Sequence, residues 1–334
     1  MQTQQQTQST NGTAKAQPAT RTPHMTLGSI ARGRVVAPLR IFLYGVEGVG
    51  KTSFGAAAPS PVFLGPEDGA GHLDVARFPQ PRDWSDIGEA IETLVHQPHD
   101  FETLVVDTAD WLEPLCWAEV CRINKVPGIE SMGYGKGYVG ALELWRAFVG
   151  RLEVLRRARG MHIVLLGHAL IKSFKNPEGS DYDRYTLKLH DKAGGFFKEW
   201  CDEVLFAQFE TFVATDDKKR VRGVASGNRM IRTVRTAAYD AKSRSGLPAS
   251  LPLSWDAFWT EAHKGVAERL DQINTDIAAS MTELDALNPE VAAKARAYVE
   301  SVPGDFNRLS SALNQIHLRI AEASPSDDAT ASNP

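Results

Sequence analysis

Short, fully apolar runs alternate with longer amphipathic ones over most of the chain. Arg40–Tyr44 (RIFLY) reads as a buried strand running into a glycine-rich turn, and Lys51–Ala58 as a helix stopped by Pro59. Pro61–Leu64 is a second strand, ending in the acidic turn GPEDG. Ser85–His96 is a helix with Ile87, Ile91, Leu94 and Val95 on one side. Thr103–Val106 is a third strand that ends at Asp107. Glu143–Arg159 carries Leu144, Ala147, Phe148, Leu152 and Leu155 at helical spacing, and Met161–Leu166 and Glu203–Phe209 are the fourth and fifth strands. Strands apolar on both faces and separated by helices predict an α/β fold with a mostly parallel central sheet. Beyond Phe209 the segments TFVAT, RVRGVAS and RMIRTVRT alternate in polarity and predict an antiparallel hairpin extension. From Trp255 onward the pattern is helical, broken at Asn288-Pro289 and Pro303-Gly304. Trp255, Phe258 and Trp259 are expected to pack against the sheet.

Both ends are polar and poor in complexity, so the expected division is a disordered tail over 1–35, an α/β core over 36–250, a helical extension over 251–322 and a second tail over 323–334. No apolar run reaches the roughly 20 residues of a membrane span, and the first residues lack the apolar stretch of a secretory signal. The cysteines, Cys116, Cys121 and Cys201, show no metal-ligand spacing, which fits a reducing cytoplasm. The formal net charge of −4 excludes a generally basic nucleic-acid binder. That average conceals a contrast. Lys218 to Arg244 holds nine Lys/Arg against one acid, Asp240, a local +8 that leaves −12 on the remainder. Such asymmetry points to an anionic partner or an acidic surface on a neighbouring subunit.

The strongest chemical signal is GVEGVGKT, Gly45, Val46, Glu47, Gly48, Val49, Gly50, Lys51 and Thr52, with Ser53 following. It matches G-x-x-x-x-G-K-[ST] in full, between a predicted strand and a predicted helix. Glycines there let the backbone wrap a phosphate chain with its N–H groups. Lys51 reaches the β- and γ-phosphates, and the Thr52 hydroxyl ligates Mg²⁺. ATP with Mg²⁺ is the expected ligand. Asp107, at the tip of a buried strand, is the expected Walker B carboxylate holding the metal shell through water, with Asp110 as a second candidate. Glu67 stands where a water-activating carboxylate has to stand, but Asp68 beside it leaves the assignment open. His168, after the fourth strand in VLLGHAL, would face the γ-phosphate.

Taken in order, these pieces resemble the RecA-type ATPase core, and in particular the phage-encoded RecA-like ATPases linked to single-strand annealing and recombination. The resemblance runs from about Arg40 to Pro248 and includes a glutamate at the third position of the P-loop, Glu47. It implies a RecA-like P-loop NTPase core in which Glu67 is the catalytic glutamate, Asp107 the Walker B aspartate and His168 the sensor, where RecA itself has Gln. SMGYGKGY (Ser131–Tyr138) resembles the first DNA loop, and KAGGFFKEWCDEVLFA (Lys192–Ala207) the segment after the second. AKSRSGLP (Ala241–Pro248) resembles the Lys-x-Arg element of RecA-like and DnaB-like hexamers. By that resemblance Lys242 and Arg244 would reach a neighbour's γ-phosphate in a homo-oligomer, ring or filament.

Cations interleaved with aromatics suit single-stranded DNA, because phosphates need charge and splayed bases need stacking faces. Tyr134, Lys136 and Tyr138 in the first loop, and Lys172, Lys175, Arg184 and Lys188 in a loop read over Ala169–Asp191, are the expected DNA contacts. A single-strand binding protein is a further expected partner. The leading expectation is an ATP hydrolase stimulated by single-stranded DNA, working in recombination, annealing or replication in the cytoplasm (the host's, for a phage protein). Two other classes stay open: a P-loop kinase for a small molecule or nucleotide, and a DNA-binding module that uses ATP without hydrolysing it.

Overall fold

In the computed structural model, the structure describes residues 37–67, 71–215, 221–303 and 306–323. The two polar tails (1–35 and the chain from 324), Asp68 and the cations Lys218, Lys219 and Arg220 lie outside these residues.

The chain begins with β1 (Arg40–Gly45), the P-loop, α1 (Lys51–Ala56), β2 (Pro61–Leu64), the short β3 (Ala76–Arg77) and α2 (Trp84–His96). It continues through β4 (Thr103–Val106), α3 (Ala109–Asn124), a 3₁₀ turn over Ile129–Met132 and α4 (Lys136–Arg159). Next come β5 (His162–Phe174), β6 (Tyr182–Leu187), α5 (Asp191–Trp200), β7 (Glu203–Thr215), β8 (Val221–Arg232), β9 (Lys242–Ser243) and β10 (Ser250–Pro252). Four helices close it: α6 (Trp255–Ala262), α7 (Val266–Leu287), α8 (Pro289–Glu300) and α9 (Phe306–Ala323).

The strands form one sheet in the order β10-β8-β7-β1-β5-β4-β2-β3, with β6 paired to β5 and β9 to β7. The centre, β7-β1-β5-β4-β2, is parallel throughout, and every antiparallel pair lies outside it. The expected α/β core with a mostly parallel sheet, a hairpin extension and C-terminal helices is therefore what the chain adopts. The central strands are apolar on both faces because each face has its own helical cover. Phe42, Leu104, Val106, Ile163 and Phe206 pack with Ile91, Leu112, Trp145 and Phe197 on one side. Ile41, Leu43, Val105, Val164 and Leu205 pack with Phe54, Trp255 and Phe258 on the other. The Trp255 and Phe54 rings meet at 5.2 Å.

Four sequence expectations change. α4 starts at Lys136 rather than Glu143, because Gly135, at φ 68°, turns the chain directly into the helix. The segment read as a loop over Ala169–Asp191 is largely a hairpin: β5 runs on past Leu166 to Phe174 and pairs antiparallel with β6, from Ala169–Leu187 to Phe174–Tyr182. β7 is one strand to Thr215, with a register irregularity between Phe209 and Thr211 where two segments were expected. Finally, Trp255, Phe258 and Trp259 pack α6 on the sheet, as expected, with Leu251 beside them, so the extension expected from 251 starts only after α6. The extension is the cluster built on Ile277, Met281, Leu284, Ala292, Leu309, Ile316 and Ile320, from α7 to α9. Among the described residues, no helix is long and apolar enough to cross a membrane.

Candidate nucleotide site and the loops beside it

Parallel pairing brings the C-terminal ends of the central strands to one edge. Gly45 is level with His168, Val106 with Leu165, and Leu64 with Val106. The residues that leave β1, β5, β4 and β2 therefore emerge side by side: the P-loop, His168, Asp107 and Glu67. Two glycines permit this closeness. A Cβ on Gly65 would lie 1.9 Å from the Asp107 carbonyl oxygen, and one on Gly45 would lie 2.1 Å from that of Ala207.

Within the P-loop, Gly48 and Gly50 take the left-handed backbone, at φ 69° and 105°. Val46 and Val49 anchor the loop to the core, whereas Glu47 is exposed. Ser53 lies in α1, directly after Thr52. The Lys51 ammonium is folded back onto the loop, donating to the carbonyls of Gly45 at 3.2 Å and Val46 at 3.0 Å. Only 6% of Lys51 is exposed, and burial lowers its pKa despite four nearby carboxylates. A polyphosphate would add negative charge beside this buried cation.

Thr52 Oγ1 donates to Asp107 Oδ2 at 2.9 Å. Burial is the main reason the Asp107 carboxyl is pushed up to about 6, against the hydrogen bond from Thr52. A hydroxyl and a buried carboxylate in contact form an all-oxygen pair of the kind a hard divalent cation takes, so Thr52 and Asp107 fit Mg²⁺. Glu67 is half-buried, and its Oε2 accepts from Thr108 Oγ1 at 3.1 Å. It lines a small cleft with Asp107, Gly65, Arg77 and Gln80.

Asp110 is not in the metal pair. Its carboxylate faces His168, accepting from the backbone N–H at 3.0 Å and meeting ring Nδ1 at 2.9 Å. Burial alone would raise its pKa, but these bonds hold it below the usual carboxylate range.

A family model of an AAA domain matches residues 37–245. The chain belongs to that family. No curated protein matches it. Among solved structures, the crystal structure of the RadB recombinase is similar at a TM-score of 0.35 and 13% identity, over 59% of this chain and 80% of that chain. In this AAA domain Gly45–Thr52 carries the P-loop pattern, and the sheet edge described above gathers the other candidate site residues beside it.

Lys242 and Arg244 lie at the far end of the sheet. Lys242 pairs with Val204 at the start of β7, and Glu203 next to it is level with Ile41 near the start of β1. The Lys242 ammonium donates to the carbonyls of Lys198 and Glu199 at the end of α5. Arg244 donates to Asp202 Oδ1 at 3.0 Å and to the Glu199 carbonyl at 3.2 Å. Neither reaches the P-loop of its own chain.

The residues expected on DNA divide into four groups. Tyr134 stands fully exposed at a positive φ of 47°, and Lys136 and Lys188 are exposed as well. Lys172 and Lys175 are exposed on the β5–β6 hairpin and pair with Asp191 and Asp181. Arg184 is a correction: it is buried, ion-paired to Asp240 and laid over the Phe174 ring, so its charge is spent inside the protein. Tyr138 is half-buried in the first turn of α4. Its hydroxyl donates to Glu130 at 3.0 Å, and its ring stacks on His190 at 4.1 Å.

Sequence reasoning passed over two polar residues here. Thr108 orients Glu67. Glu113, one turn beyond Asp110 on α3, is buried and accepts the His190 N–H on both oxygens, at 3.0 and 3.1 Å. The spacing of Asp110 and Glu113 was the available signal, since residues three apart share a helix face.

Proposed function

We propose that this AAA domain is a Mg²⁺-dependent ATPase acting on single-stranded DNA in recombination, annealing or replication, of the RecA-like kind that phages encode. One observation carries the reading. β5 runs unbroken from His168, at the nucleotide edge, into a hairpin bearing Lys172, Lys175 and exposed Leu170 and Ile171. A single strand thus joins the place where a γ-phosphate sits to a surface of cations and apolar faces suited to unstacked nucleic acid.

Lys51 leaves the P-loop carbonyls to meet the β- and γ-phosphates, and the loop's backbone N–H groups hold the chain of phosphates. Bound to Thr52 and Asp107, Mg²⁺ would neutralise charge on the phosphate oxygens. Glu67, set by Thr108, orients water and accepts its proton. His168, held by Asp110, registers the γ-phosphate and passes the difference to the hairpin. Lys242 and Arg244 act across the interface of a homo-oligomer in the cytoplasm, with a single-strand binding protein as a further partner.

The test is ATP hydrolysis with and without single-stranded DNA, at low and high salt. Hydrolysis should rise with DNA, and the rise should fade steeply as salt increases, because released counterions drive phosphate contacts. Lys51→Ala should abolish it. Hydrolysis indifferent to DNA, or phosphoryl transfer to a small acceptor in place of water, would overturn the reading.

A further inference from the structure

Arg229 reads in the sequence only as one cation of a basic run. The structure sets it apart. It lies opposite Phe209 at the last β7–β8 pair before the register irregularity, and its carbonyl accepts from Leu253 N–H at 2.8 Å. Its backbone is thus held from both sides. The side chain is laid over the Phe209 ring, guanidinium carbon 6.0 Å from the centroid. That direction carries it across β7 to the P-loop. A Cβ on Gly50 would lie 3.0 Å from Arg229 Nη1, 3.9 Å from its Cδ and 3.7 Å from Leu253 Cδ2. Arg229 is exposed, and no described carboxylate forms an ion pair with it. Arg184 and Arg244 are, by contrast, each committed to an aspartate.

We propose that Arg229 is a nucleotide ligand supplied by the same chain, binding the diphosphate portion of a nucleoside di- or triphosphate held on Gly45–Thr52. This rests on the ATPase reading above. Strand order decides which phosphates it meets. Glu67, Asp107 and His168 follow β2, β4 and β5, all on one side of β1, and they mark the γ-phosphate end. Arg229 arrives over β7 and β8, on the other side of β1. A nucleotide lying across the loop therefore turns its nucleoside end, with the phosphates nearest it, toward Arg229. A guanidinium that no described carboxylate pairs, with five donors in a planar fork, suits that anion, and Leu253 beside it gives an apolar wall to the same end.

The experiment titrates fluorescent ADP and a non-hydrolysable ATP analogue into wild type, Arg229→Ala, Arg229→Lys and Lys51→Ala, with thermal melting to show that each variant is folded. Arg229→Ala should weaken both nucleotides equally, by about tenfold, the size of one charge-assisted contact. Arg229→Lys should restore part of the loss, as a point charge without the fork. Unchanged affinity in folded Arg229→Ala, with Lys51→Ala still defective, would overturn this proposal and leave the ATPase reading standing. A loss confined to the triphosphate, or a loss of DNA binding alone, would overturn it too. Failure of wild type to bind either nucleotide would remove the ATPase reading itself. Should Arg229→Ala not fold, Arg229→Lys and Arg229→Gln decide the matter by the same comparison.

Discussion

Asp110 grips His168 at two points. One carboxylate oxygen lies 2.9 Å from ring Nδ1, and the other accepts the backbone N–H of the same residue at 3.0 Å. The side chains are 4% and 12% exposed, so water competes little for either bond. With Nδ1 turned to the carboxylate, the ring is fixed in plane and Nε2 is the nitrogen left to meet a ligand. Asp110, in the first turn of α3, is thus placed to position His168, three residues on from Asp107.

Asp110→Asn should keep the shape of this contact and lose its charge. The expected result is a fall of about tenfold in kcat with KM for ATP nearly unchanged, together with loss of stimulation by single-stranded DNA. Steady-state kinetics with and without DNA check it. A variant that raises KM alone would show that Asp110 serves binding rather than the sensor.

Glu113 makes a pH-dependent contribution of unusual sign. Burial pushes its carboxyl up to about 7 from a reference of 4.5, with the His190 N–H bond opposing and Asp110 adding to the rise. Because the folded pKa is the higher one, the folded state holds a proton that the unfolded chain releases between these values. Stability therefore falls as pH rises through that window. Glu113→Gln keeps an acceptor for His190 without the charge. It should match wild type at pH 4.5 and exceed it at pH 8 by up to about 3 kcal/mol, at 1.36 kcal/mol per pKa unit. Urea unfolding at the two values decides; an equal difference at both would mean that charge is not the cause.

The sequence disclosed the P-loop pattern, the central strands and the position of Asp107 because each is local: a spacing of seven positions, an apolar run, a carboxylate at a strand end. What it concealed depends on pairing between distant segments. The cations of Ala169–Asp191 look alike in sequence, yet Asp240 and the Phe174 ring bury Arg184, while Lys172, its cross-strand partner, and Lys188 stay exposed. Arg229 gains its place from a strand that reaches the P-loop only through β7. Asp110 stands in the sequence as a second metal candidate, and only the structure brings His168 to it, from β5.

Arg184 gives a direct test of that sorting. Asp240 also accepts Lys198 at 2.8 Å and lies 3.5 Å from Arg235, while its carbonyl takes the Tyr44 hydroxyl at 2.6 Å. Removing Arg184 breaks a buried pair but leaves Asp240 other cations, so Arg184→Met should cost about 3 kcal/mol, the low end for such pairs. The salt dependence of DNA binding should not change. Lys188→Ala should do the reverse, sparing stability and lowering the salt slope by about one phosphate contact. Equal loss of slope in both variants would restore Arg184 as a DNA residue.

Lys242 and Arg244 can serve hydrolysis only from a neighbouring subunit. They flank the first residues of β7, level with Ile41, whereas the P-loop begins at Gly45 at the other end of β1. That stretch of strand spans ~13 Å at about 3.3 Å per residue. Both residues are also tied to the end of α5 and to Asp202 within their own chain. A shared site makes a specific prediction for mixtures. Arg244→Ala has an intact P-loop and Lys51→Ala an intact arginine, so each alone should be inactive. Together they should regain activity at interfaces that join a good P-loop to a good arginine. In equimolar random mixing about a quarter of interfaces qualify, so recovery should approach a quarter of the wild-type rate per protomer, where a stabilised transition state depends on both groups. Wild-type hydrolysis by Arg244→Ala alone, or mixtures no better than the separate variants, would confine Arg244 to the structural pairing with Asp202.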